Sequence, residues 1–190
     1  MEEMRGIAEG DGVDIEGIVI VNARTEMMFG ATRKAEDEDE GDDGCTGIIA
    51  MPEATCDGRV LHAQNWDWRE ECVHTGVVLR IRREDGPDVL TFTEAGGLAR
   101  SGFNAAGIAV TGNFLACDRD FKQQGVPLPL LRRRMLECMH FALAIHVLAS
   151  NPRSCSNNMM VSDAAGEAID FECAPDEMFC IYPEDGLITH

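Results

Sequence analysis

The chain has 190 residues, 45% of them hydrophobic, and a mean hydropathy of −0.13, which suffices for one soluble domain with a sizeable core. Its formal charge of −18, from 34 acidic and 16 basic residues, excludes nucleic acid held through its phosphates and disfavours an acidic membrane surface, because both require Lys and Arg. No apolar run reaches the roughly 18 residues of a membrane span. Met1-Glu2-Glu3-Met4-Arg5 lacks the apolar stretch of an export signal, so an intracellular address, cytoplasmic or peroxisomal, is expected. The eight Cys, at 45, 56, 72, 117, 138, 155, 173 and 180, form no C-x-x-C pair; reduced thiols are expected, with neither disulfides nor a structural zinc site.

In chain order, residues 3–28 read as helical, with Ile15, Ile18, Val19 and Asn22 at helical spacing and Gly10 and Gly12 dividing off a shorter first helix. A charged linker follows at 31–43. Residues 45–51 and 59–67 read as a hairpin turning at Pro52 and Asp57-Gly58, and 76–82 with 88–93 repeat the pattern around Asp85-Gly86-Pro87. Residues 101–113 carry a turn at 104–107 and a further strand, which completes a compact antiparallel sheet. The stripe Leu128, Leu131, Met135, Cys138, Met139, Ala142, Ile145 predicts one long helix ending before Asn151-Pro152. Residues 159–162 and 167–172 read as another hairpin, and 178–182 as a last strand. Helices, strands, helix, strands is an α+β order. Arg132-Arg133-Arg134 fans around the predicted helix and reads as solvated surface, with an anionic substrate group as the other use for it.

Gly44-Cys45-Thr46 stands out, because Glu36 to Asp43 is acidic at seven of eight positions and would form a solvated, self-repelling linker directly before it. Cleavage of the Gly44-Cys45 bond would leave a thiol and a free α-amine on one residue. A thiol attacks carbonyls only as thiolate. The α-amine, whose ordinary pKa is about 7.7 to 8.0, can take its proton without a His partner. Gly44 tolerates the strained geometry that brings sulfur onto the preceding carbonyl. The competing interpretation is an ordinary buried Cys opening a strand. Trp66 and Trp68 read as core or as an aromatic pocket wall. A Cys-His pair with His62 or His74 is a further alternative.

Asn22-Ala23-Arg24-Thr25-Glu26, Asp43-Gly44-Cys45-Thr46, Gln64-Asn65-Trp66-Asp67, Gly102-Phe103-Asn104, Gly107-Ile108-Ala109-Val110, Asn113, residues 163–172 and Gly186-Leu187-Ile188-Thr189-His190 together resemble the acyl-coenzyme A:6-aminopenicillanic acid acyltransferase (isopenicillin N acyltransferase) family. These are N-terminal-nucleophile hydrolases of peptidase class C45. The resemblance implies an αββα sandwich, here incomplete. It makes residues 1–44 a pro-segment, or small subunit, and 45–190 the first part of the catalytic large subunit, the two staying together after cleavage. It implies Cys45 as nucleophile, Asp67 as the carboxylate that orients the freed amine, and Asn113 as an oxyanion donor through its backbone N–H. The implied substrate is a small-molecule amide or an acyl-coenzyme A, the latter as co-substrate, with no cofactor. The site residues that the family carries beyond the stretch matching His190 make a catalytically incompetent remnant the alternative expectation.

Overall fold

The computed structural model describes residues 1–32 and 44–190. Three short helices come first, α1 (Glu2–Asp11), α2 (Ile15–Asn22) and α3 (Arg24–Thr32). Gly12 ends α1 because it takes the left-handed φ of +70° that a C-cap favours, whereas Gly10 lies within the helix. Met4, Ala8 and Ile18 bury one face of the helices against Leu98. The Asn22 side chain, also buried, donates to the carbonyls of Ile18 and Gly96 and accepts from the Leu98 N–H, each at 2.9 Å. That triple contact ties the N-terminal helices to the body of the chain. Helix α3 carries two residues into the expected linker; 33–43 lie outside the described residues.

The hairpins lie where alternation and turn residues place them, and they build the two sheets that the resemblance implies rather than the single sheet read from alternation alone. Strands β1 (Thr46–Ala50) and β2 (Leu61–Asn65) pair antiparallel. β3 (Gly76–Ile81), β4 (Val89–Glu94), β5 (Ser101–Asn104) and β6 (Ile108–Thr111) form a meander. β7 (Asn157–Asp163), β8 (Ala168–Cys173) and β9 (Met178–Ile181) continue it into a seven-stranded sheet in sequence order, while β10 (Leu187–Thr189) returns to the free edge of β1. The sequence does not predict β10: three residues are too few to show a period, and only pairing with β1 makes them a strand.

The predicted long helix is two, α4 (Leu128–Leu136) and α5 (Phe141–Ser150). Buried Asn104 explains the break. Its amide nitrogen donates to the carbonyls of Leu136 at 2.9 Å and Cys138 at 2.8 Å, satisfying groups that a continuing helix would bond itself. Arg132 and Arg133, expected on the surface, are buried, and only Arg134 is exposed. Arg133 reaches Glu3 of α1 and Glu137.

Leu131, Met135, Leu136, Ala144 and Leu148 of the helices pack on Val89, Ile108, Val110, Met159, Val161 and Phe171 of the large sheet. Its other face meets the small sheet through Ile49, Met51, Met160, Ala168 and Ile188. The layers run helix, sheet, sheet, and the outer face of the small sheet carries no helix among the described residues.

Candidate active site

The pairing of β1 with β2 sets Thr46 opposite Asn65 and Gly47 opposite Gln64, so Cys45, just before β1, and Asp67, just after β2, share one end of the small sheet. The Cys45 sulfur lies 3.7 Å from the Asp67 carbonyl oxygen. Cys45 is half-buried and Asp67 exposed. Gly47 faces the large sheet, where a Cβ would collide with the Met160 sulfur and come within 3.2 Å of the Asn113 amide nitrogen. The absence of a side chain therefore lets β1 settle against Asn113, two residues past β6. Cys45 thus meets the Asp67 backbone, and Asn113 lies against Gly47, two residues along β1 from Cys45.

A buried chain of amides holds Asn113. Gln64 Nε2 donates to Asn113 Oδ1 and to the Gly112 carbonyl, each at 2.7 Å. Asn113 Nδ2 donates to Asn158 Oδ1 at 3.0 Å, and Asn158 Nδ2 donates to Asp170 Oδ1. At the other end the Ser101 hydroxyl donates to Gln64 Oε1 at 2.5 Å. Asp170 accepts from the Asn158 amide nitrogen, and each amide then presents its oxygen to the next nitrogen, so the bonds of the chain all run one way. The Asn113 backbone N–H donates to the Asn158 carbonyl at 3.2 Å. It could serve an oxyanion only by exchanging that partner. Sequence reasoning missed Gln64 and Asn158 as supports of the site; the polar pair Asn157-Asn158 opening an apolar strand was the available signal.

Neither His offered as a Cys partner bonds Cys45 among the described residues. Both His62 nitrogens are occupied between the sheets, by Ser162 at 2.8 Å and Thr111 at 2.9 Å, and burial pulls its pKa down to about 4. His74 is exposed. His190, the last residue, pairs through its backbone with Gly47. Its Nδ1 lies 3.1 Å from Asn158 Nδ2 and 3.7 Å from Asp170 Oδ2, and the Asp170 carboxylate raises its pKa.

Beyond Asp67 the aromatic wall is half-buried and stacked with cations. Trp66 and Trp68 are nearly parallel at 6.2 Å. The Arg100 guanidinium lies 4.0 Å over Trp66, and Arg24 of α3 lies 5.0 Å over Trp68. Arg132 presses on Gly112, where a Cβ would stand 2.7 Å from the guanidinium carbon. Cys155 and Cys173 are buried thiols whose pKa rises to about 12, which leaves them protonated and unreactive at neutral pH.

The model of one protein family, acyl-coenzyme A:6-aminopenicillanic acid acyl-transferase, matches residues 54–190, downstream of Cys45. The 40 kDa form of acyl-coenzyme A:6-aminopenicillanic-acid-acyltransferase from Emericella nidulans is 31% identical over 174 residues, 92% of this chain and 45% of that protein. An uncharacterized protein of Archaeoglobus fulgidus is 29% identical over 121 residues, 57% of this chain and 20% of its own. The chain therefore spans less than half the length of these relatives. Penicillin V acylase from Agrobacterium tumefaciens superposes with a TM-score of 0.53 at 18% identity, covering 76% of this chain and 51% of that one. A single-residue variant of conjugated bile acid hydrolase from Clostridium perfringens gives 0.51 at 14% identity, with 76% and 52% covered. Likeness at this level of identity shows the fold, the α+β sandwich of N-terminal-nucleophile hydrolases.

Proposed function

Because the chain belongs to the acyl-coenzyme A:6-aminopenicillanic acid acyltransferase family, we propose that it is an autoprocessed N-terminal-cysteine acyltransferase or amidohydrolase acting through an acyl-enzyme at Cys45. The observation that carries this is the meeting of half-buried Cys45 with exposed Asp67 at one end of the stacked sheets, beside the Gly47 strand that packs on buried Asn113, with Gly44 clear of other atoms among the described residues. Cleavage of the Gly44-Cys45 bond frees the α-amine, which takes the thiol proton. The thiolate adds to an amide or thioester carbonyl. The tetrahedral intermediate then collapses, passing its proton from the ammonium to the leaving amine or thiol, and water or an acceptor amine resolves the acyl-enzyme. The Asp67 carboxylate holds the ammonium in place. An oxyanion donor at Asn113 would lower the barrier by roughly 3 to 4 kcal/mol. The substrate is a small-molecule amide or an acyl-coenzyme A, and the chemistry needs no cofactor.

Intact-mass measurement tests the first step. A break between Gly44 and Cys45 that disappears in Cys45→Ala, together with an acyl adduct on Cys45 after incubation with a thioester, is expected; an uncut chain whose Cys45 takes no acyl group rejects the proposal. The prior commitment of the Asn113 N–H to Asn158 favours a second reading, a non-catalytic remnant that serves only as an interaction partner, and the uncut, unacylated result would select it.

A further inference from the structure

Between the N-terminal helices and the large sheet lies a cavity of about 30 Å³ lined by Arg24, Thr25, Thr93, Glu94, Arg100 and Arg132, among others. Among the described residues its charges do not balance. Arg24 is paired with Glu94 at 2.6 Å. Glu26, next in reach, has one carboxylate oxygen taken by the Leu128 N–H at 2.9 Å, while the other is buried without a hydrogen bond among the described residues; its charge acts on Arg132. Arg132 is only 5% exposed, and its Nε, like that of Arg100, is buried without an acceptor among the described residues. Neither guanidinium makes an ion pair there, and Arg100 has the Trp66 ring at 4.0 Å and the Trp68 ring at 5.9 Å against it. A guanidinium stays protonated near neutral pH, and a buried cation without an anion is costly. Among the described residues, three arginines against two carboxylates leave one positive charge over.

We infer that this cavity is a binding site for one carboxylate-sized monoanion, received by the free N–H groups of Arg100 and Arg132. Planar guanidiniums suit a carboxylate because their N–H groups match its two oxygens. The site stands whether or not Cys45 becomes N-terminal. Two sources supply such a group: a free small anion, or the carboxylate of a reactant brought to Cys45, which lies within electrostatic reach of both guanidiniums.

Thermal unfolding of the full chain in low-salt zwitterionic buffer, titrated with sodium formate, tests the site. A saturable rise in Tm is expected for the wild type, with the rise cut at least fivefold in Arg132→Gln and in Arg100→Gln. In formate-free buffer Arg100→Gln should unfold no earlier than the wild type, because it removes the one surplus buried charge and leaves Arg132 to Glu26. A wild-type Tm indifferent to formate, or an equal response in wild type and both variants, overturns the inference. Alkylation of Cys45 by iodoacetate and by iodoacetamide, followed by peptide mapping, separates the sources. An iodoacetate-to-iodoacetamide rate ratio at least threefold higher in wild type than in Arg132→Gln, and suppressed by formate, assigns the site to a carboxylate-bearing reactant. An unchanged ratio beside a specific formate response assigns it to a free anion. Neither measurement requires chain cleavage, so failure here and failure of the proposed activity are distinguishable.

Discussion

His62 shows how a single buried side chain sets the response to pH. Its imidazole bridges the two sheets to Ser162 and Thr111, and burial holds its pKa at about 4 against 6.5 in the unfolded chain. Between those values the unfolded state binds the proton first, so the contribution to stability is complete above pH 6.5 and is lost as pH falls toward 4. The whole effect is on the order of 3 kcal/mol. Thermal unfolding across that window should decline less steeply in His62→Gln than in wild type; parallel curves would contradict the assignment. His190 works in the opposite sense. Asp170 raises its pKa, so its contribution is present below pH 6.5 and fades as pH climbs through the folded value. Of the proposed site, Cys45 is suggested in the sequence by Gly44 and the acidic tract, and Asp67 by the resemblance that Gln64-Asn65-Trp66-Asp67 carries. The engagement of the Asn113 N–H is not, because its partner Asn158 stands 45 residues away in sequence.

The break between α4 and α5 illustrates how one residue of a strand terminates a helix. Asn104 closes β5, caps the carbonyls of Leu136 and Cys138, and accepts the N–H groups of Ala106 and Ile108, each at 3.0 Å. Asn104→Ala would leave these buried groups unsatisfied and should destabilise the chain by roughly 2 to 4 kcal/mol. Urea unfolding should show the midpoint falling, and loss of less than about 1 kcal/mol would mean that the Asn104 bonds do not hold the two helices apart. The apolar stripe from Leu128 to Ile145 keeps its period across the break, which is why periodicity alone predicts one helix. The buried position of Arg132 escaped prediction for a related reason: three successive arginines read as solvated until α2, α3 and the Gly112 backbone close over one of them.

The small sheet turns one face to the core and the other outward. Ile48 of β1, Leu61 of β2 and Leu187 of β10 all point away from the large sheet and are 40%, 57% and 42% exposed. They form an apolar surface of the kind that drives association. Sedimentation velocity of the chain should show concentration-dependent association that Ile48→Thr combined with Leu61→Lys reduces, while the far-ultraviolet circular dichroism stays unchanged. Equal sedimentation of the two proteins would mean that this face does not cause association. No helix among the described residues is long and apolar enough to cross a membrane.

Alternation, helical spacing and turn residues are properties of neighbours in the chain, and so the hairpins, the N-terminal helices, the α+β order and the Gly44-Cys45 motif could be read from the sequence alone. The split helix, the direction of the Gln64-Asn113-Asn158-Asp170 chain and the unpaired charge at Arg100 and Arg132 were decided only in the folded molecule. Each depends on hydrogen bonds or desolvation between residues tens of positions apart, and burial fixes both the strength of those bonds and the cost of leaving a partner out.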